Sequence, residues 1–177
     1  MKKIFLFMLA VGTVFAFVSC SQKPVKTIVD LKEGIKGETT ASAKYAAFAK
    51  KAREEGNDTI AKLFDAASKS EAVHAANHTK VLEKLGEKME AFTPQFEVKT
   101  TAENLQAAIE GEGYEETTMY PGFIKDAENE KVPDAIKSFT WAMDTEKKHN
   151  VFYTKALDAL KSGNESTLSF NYEVCPV

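Results

Sequence analysis

Along most of this chain the apolar positions recur every three or four residues, the period of a helix with one buried face. From Val25 onward Ile28, Leu31, Ile35, Glu38, Tyr45, Phe48 and Ala52 share a stripe, and Gly56-Asn57 supplies a stop. Ile60, Phe64, Ala67, Glu71, His74, His78, Val81 and Leu85 make a second stripe, which predicts a helix from about Asp58 to Leu85, ended by Gly86. Residues 87–100 contain Pro94 and little periodicity, so they predict a connection longer than a hairpin turn. Thr100-Thr101-Ala102-Glu103 fits a capping box that opens a third helix, with Leu105, Ala108, Glu112, Glu115, Met119 and Phe123 along its stripe. Pro121 inside that helix predicts a kink or a missing hydrogen bond. Pro133 suits the first turn of a fourth helix, whose stripe is Ile136, Phe139, Met143, Glu146, His149, Tyr153, Leu157 and Leu160, closed by Ser162-Gly163-Asn164. The expected fold is all-α: a four-helix bundle over residues 26–162, two hairpins joined by one long crossover. In the remaining residues, 163–177, Leu168, Phe170, Tyr172 and Val174 alternate with polar neighbours, the period of a short strand.

The N-terminus has a different pattern. Met1-Lys2-Lys3 and the uncharged run Ile4 to Ser19 read as an export signal over residues 1–19, too short for a spanning helix. Phe17-Val18-Ser19-Cys20 resembles a bacterial lipoprotein processing box, which makes Cys20 the lipidated first residue and residues 20–25 a linker. The expected location is outside the cytoplasm, with membrane attachment only through that lipid; an uncleaved anchor is the other reading. Net charge is −3 with no basic patch, so nucleic acid is not expected as a partner. Cys20 and Cys175, one near each end, exclude a disulfide scaffold.

What changes the picture is the polar content of the helical seams. Glu38, Glu71, His74, Glu112, Glu115, Glu146 and His149 stand where apolar residues should be. Buried carboxylates without a partner cost several kcal/mol, and several together repel unless a cation holds them. Each hairpin offers a lone or paired glutamate opposite a Glu-x-x-His, and at ~1.5 Å rise per residue Glu38 and His74 lie at one level, roughly 25 Å below the Gly56 turn. A glutamate from each of two helices and Glu-x-x-His from each of the others is the ligand set of a carboxylate-bridged dinuclear site. Oxygen-rich ligands with one imidazole per ion suit two iron ions, or manganese, better than zinc. A single Glu-x-x-His more often marks a solvated helix face; two copies in corresponding places point to metal. His78, one turn beyond His74, has no counterpart in the second half and reads as a core histidine or one supporting a ligand. Tyr45 and Tyr120 are core aromatics whose hydroxyls could bond ligating carboxylates. Trp141 needs only packing, at the core or a subunit interface.

Ile35-Lys36-Gly37-Glu38 with Tyr45, Glu71-x-x-His74-Ala75, Gly111-Glu112-x-x-Glu115 with Met119-Tyr120-Pro121, and Glu146-x-x-His149 together resemble rubrerythrin over residues 26–161. The resemblance implies a ferritin-like bundle with a non-haem di-iron centre. It also implies a homodimer and a peroxidase that reduces hydrogen peroxide to water. In that family the residue matched by Glu115 exchanges with the one matched by His74 as a ligand, which makes these two the expected catalytic residues. Tyr172-Glu173-Val174-Cys175-Pro176-Val177 resembles the opening of a rubredoxin module, but one thiolate cannot build its four-cysteine iron site. Either this is a truncated product of a longer chain or the protein takes electrons from a separate rubredoxin-like or other donor; an unrelated terminal strand is the plain alternative. The expected function is di-iron peroxidase in oxidative-stress defence; the alternative is a ferritin-like iron-binding protein or ferroxidase.

Overall fold

The computed structural model describes residues 23–169 and 171–174. The proposed export signal, Cys20, Phe170 and Cys175 to Val177 lie outside the described residues. Helix α1 spans Val25–Glu54 and α2 spans Asp58–Lys84. Then come α3, Thr101–Tyr114; a π-helical turn, Glu115–Met119; and α4, Tyr120–Asn129, which run on as one rod. Helix α5 spans Pro133–Ser162. These are the four expected rods of a ferritin-like bundle. Gly56 ends α1 at φ 82° and Gly86 ends α2 at φ 78°, backbone angles that a side chain would strain. No helix among the described residues is long and apolar enough to cross a membrane.

Helix α1 packs chiefly on α2, and α3 and α4 pack on α5. Each hairpin's turn caps the other hairpin's first helix. Glu55, after α1, accepts from the Thr101 N–H at the start of α3 (2.8 Å). Glu130, after α4, accepts from the N–H groups of Lys26 (3.0 Å) and Thr27 (2.7 Å) at the start of α1. Carboxylates at helix N-termini satisfy donors that have no partner within the helix and oppose its dipole. The reciprocal caps pair the two hairpins within one chain and set α3 running down the bundle in the same direction as α2, packed on α5. The connection from Gly86 must therefore return over the height of α2, ~40 Å at ~1.5 Å per residue. Fourteen residues at up to ~3.4 Å each reach that far. Thr100 receives the incoming chain with both bonds of the capping box, Glu103 N–H to Thr100 Oγ1 (3.4 Å) and Thr100 N–H to Glu103 Oε2 (3.1 Å). Thr100→Ala is expected to cost ~1 kcal/mol, read as an earlier urea midpoint at an unchanged slope.

Two apolar clusters fill the bundle. The upper holds Tyr45, Phe48, Phe64, Leu105, Tyr153 and Leu157; the lower holds Leu31, Ile35, Leu82, Tyr120, Phe123 and Phe139. The glutamate and histidine layer lies between them. The kink expected at Pro121 takes the form of the π turn just before it: Glu112 to Tyr120 is eight residues where Glu38 to Tyr45 is seven, and a π turn accommodates one extra residue. The expected C-terminal strand is corrected. Residues 165–167 form one 3₁₀ turn, and among the described residues no strand follows. The tail has no partner strand to pair with; Leu168 and Tyr172 instead pack on the upper cluster, with the Tyr172 ring edge-on to Phe152 at 5.8 Å. Trp141 is exposed rather than a core residue, with Lys137 Nζ 4.4 Å over its ring.

Candidate metal centre

Six of the seven expected ligands converge. Glu38, Glu71, His74 and Glu146 offer ligand atoms that all lie within 4.8 Å of one another, and so do Glu71, Glu112, Glu146 and His149. The two groups share Glu71 and Glu146, and all six side chains are buried. The sharing is divided by oxygen. Glu71 turns Oε2 to His74 Nδ1 (3.0 Å) and Oε1 to His149 Nδ1 (3.1 Å). Glu146 turns Oε1 to His74 Nδ1 (2.9 Å) and Oε2 to His149 Nδ1 (2.7 Å). Glu38 stands on the His74 side (3.8 Å) and Glu112 on the His149 side (3.8 Å). The i, i+3 spacing of each Glu-x-x-His places both groups on one face of α2 and α5.

Whether a metal pair fits can be read from unused polar atoms. Both oxygens of Glu71 and of Glu146, Nδ1 of both histidines, and Oε2 of Glu38 and Glu112 are buried without a hydrogen bond. Buried polar atoms normally find partners. Eight such atoms in one layer are the complement of two cations, which Glu71 and Glu146 would share and which Glu38 and Glu112 would each hold on one side. The remaining oxygen of Glu38 and of Glu112 is held by a tyrosine from the opposite hairpin: Tyr45 donates to Glu112 Oε1 (2.6 Å) and Tyr120 donates to Glu38 Oε1. The donor set fits iron.

Without metal the layer is electrostatically strained. Burial, with the charges of Glu71 and Glu146, pushes the Glu38 carboxyl up to about 8. Burial raises Glu112 as well, helped by Glu146 and Glu71. Burial also pushes Glu71 upward, but His149 and His74 outweigh it and hold the carboxyl at about 2. Burial lowers both imidazoles, yet the facing carboxylates leave His74 and His149 well above the ordinary range. Metal must displace protons from this layer.

Glu115 is the exception. It is half-buried, it opens the π turn, and it belongs to neither group of converging atoms. It is nevertheless close enough for Glu38, Glu146 and Glu71 to reinforce the upward shift that burial gives its carboxyl, while Lys44 opposes it. Its spacing from Glu112 put it on the ligand face, but the π turn begins at Glu115. His78 is no ligand: Nδ1 lies 2.7 Å from Ser138 Oγ and Nε2 3.1 Å from the Tyr120 hydroxyl. Ser138 and Gly34, which packs against His78, were not foreseen. Only a contact map between helices would have marked them.

The fold and this donor set define a ferritin-like protein with a carboxylate-bridged dinuclear metal centre. A family model described as Rubrerythrin matches residues 30–157. Nigerythrin of Nitratidesulfovibrio vulgaris is 33% identical over 94% of this chain and 81% of its own length, and Rubrerythrin-2 of Clostridium acetobutylicum is 31% identical over 89% and 85%. This chain belongs to the rubrerythrin family. A structure of fully reduced, all-ferrous nigerythrin superposes with a TM-score of 0.73 at 33% identity, covering 91% of this chain and 82% of that one. An open-pore ferritin from Archaeoglobus fulgidus has a TM-score of 0.67 at 14% identity over 80% and 88%, a likeness of fold alone. The cofactor is a pair of iron ions, and the protein is a di-iron protein of the oxidative-stress type.

Proposed function

We propose that this chain is a hydrogen peroxide reductase, converting one peroxide to two waters with two electrons and two protons. The observation that carries the reading is Glu115, a fifth carboxyl held beside six converging groups without joining them. A carboxylate kept in reserve beside the layer, near Glu38, Glu146 and Glu71, allows one ligand to leave as another arrives, which opens a position for peroxide. Iron, when bound, supplies one electron per ion to the O–O bond. The chain's own groups set the conditions for that step. Glu71 and Glu146 hold the two positions together, and Tyr45 and Tyr120 fix one oxygen of Glu112 and of Glu38. The apolar clusters above and below the layer keep bulk water out.

The finer parts of the reading are proposals supported by sequence pattern: a separate rubredoxin-like or other electron donor, a homodimer, and an exported chain anchored through lipid on Cys20. The test of activity is a stopped-flow record of the iron-loaded, reduced protein mixed with peroxide and, separately, with oxygen. Faster oxidation by peroxide is expected, and Glu115→Ala should slow that phase at least ~10-fold while still binding two ions. Faster oxidation by oxygen, or uptake of many irons per chain, would instead favour iron handling.

A further inference from the structure

One half of the metal centre is backed by a buried tyrosine–histidine–serine chain, and among the described residues the other half has no such imidazole link. Tyr120 donates to Glu38, His78 Nε2 meets the Tyr120 oxygen at 3.1 Å, and His78 Nδ1 meets Ser138 Oγ at 2.7 Å. Tyr45, which plays the matching part for Glu112, is surrounded instead by the rings of Tyr153 (5.5 Å), Phe64 (5.9 Å) and Phe48 (6.0 Å). Among the described residues no imidazole stands behind it.

Counting protons gives the chain a direction. A metal-holding Glu38 can only accept, so the single Tyr120 proton goes to it. The Tyr120 oxygen then accepts from Nε2–H of His78. That leaves Nδ1 bare, and it accepts from the Ser138 hydroxyl. Glu38 and Tyr120 thereby set the His78 tautomer, Ser138 completes it as donor, and every bond points toward Glu38. The ring has no freedom to turn. It is fully buried, Phe139 stacks edge-on at 5.1 Å, and a Cβ at Gly34 would come within 3.1 Å of its Cδ2. Glycine inside a helix costs ~1 kcal/mol relative to alanine; here its bare face makes room for the imidazole. Burial, aided by the charge on His74, pushes His78 down to about 3, so the ring stays neutral.

We propose that His78 is a positioning residue: satisfied by Ser138 in the tautomer that donates to Tyr120 and seated against the bare face of Gly34, it fixes the Tyr120 hydroxyl on Glu38 and leaves Glu38 Oε2 free for the ion on the His74 side. The inference rests on the metal-centre reading and is independent of the peroxidase reading, because its test uses no peroxide.

The test is anaerobic calorimetric titration of the full chain with ferrous iron. His78→Leu is expected to weaken one of the two ions ~10–100-fold, the range for groups that support ligands, and to leave the other nearly unchanged. His78→Gln, whose amide can donate to Tyr120 and accept from Ser138, should restore binding to within ~3-fold. In a Tyr120→Phe background, His78→Leu should add nothing, since its effect passes through the hydroxyl. Equal losses at both ions, an undiminished effect in that background, or no loss at all would overturn the proposal. Should His78→Leu fail to fold, Gly34→Ala keeps the imidazole but crowds it; a selective weakening of the same ion supports the proposal, and unchanged binding overturns it.

Discussion

Glu71→Ala is expected to abolish tight binding of both iron ions rather than one. Glu71 places one oxygen 3.0 Å from His74 Nδ1 and the other 3.1 Å from His149 Nδ1, and neither oxygen has another partner. Removing the side chain takes a ligand atom from each position and the bridge between them. Loss of at least ~100-fold in affinity at both ions is expected, beyond the ~10–100-fold typical of supporting groups. Glu112→Ala is the control. Glu112 reaches only the group around His149, so its loss should fall mainly on one ion. Anaerobic ferrous titration separates the two patterns, and a Glu71→Ala chain that keeps one ion at native affinity would contradict the bridging assignment.

The second large effect concerns pH. The metal-free chain is expected to lose stability as pH rises from about 5 to about 8, and iron should remove that dependence. The sign follows from proton counts. Glu38 keeps its proton up to about 8 when folded but only to 4.5 when unfolded. Between those values the folded state binds more protons, so raising the pH favours unfolding. Glu112 and Glu115 move the same way, chiefly through burial. His74 and His149 are raised above 6.5; their contribution is complete below that value and declines from there up to their folded values, which extends the trend into alkali. His78 opposes between about 3 and 6.5, as one group against three carboxyls. Glu71, held at about 2, adds stability that is complete above 4.5 and is lost only in acid. Each pH unit over which the folded chain holds one extra proton removes ~1.4 kcal/mol, and each kcal/mol lowers the melting temperature by ~3 °C, so Glu38 alone gives a fall of roughly 10 °C, to which Glu112 and Glu115 add. Circular dichroism melts in the presence of a chelator measure it. A flat profile for the metal-free chain would contradict the buried-charge description, and a parallel fall in iron-loaded protein would contradict metal as its remedy.

How much of this was legible in the sequence depends on the range of the interaction. The helices were legible because their stripes and stops are local: Gly56, Gly86, the Thr100 box and Pro133 each act within a few residues. The six converging ligands were legible because a glutamate or histidine in an apolar seam contradicts its surroundings. The π turn was half legible, since the eighth residue between Glu112 and Tyr120 shows only when the two halves are aligned. The tail misled because alternation describes a strand's faces and says nothing of a partner; Leu168 and Tyr172 found helices instead. Ser138 and Gly34 resemble any serine or glycine on a helix, and only packing between α1, α2 and α5 gives them a role. The caps from Glu55 and Glu130 are equally non-local.

The most direct measurement is the stoichiometry of ferrous iron bound by the wild-type chain under anaerobic titration. An end point at two ions per chain, with proton release at neutral pH as Glu38 and its neighbours give up their protons, is the expected result. An end point near zero, or continued uptake well beyond two, would contradict a closed dinuclear centre built by Glu38, Glu71, His74, Glu112, Glu146 and His149.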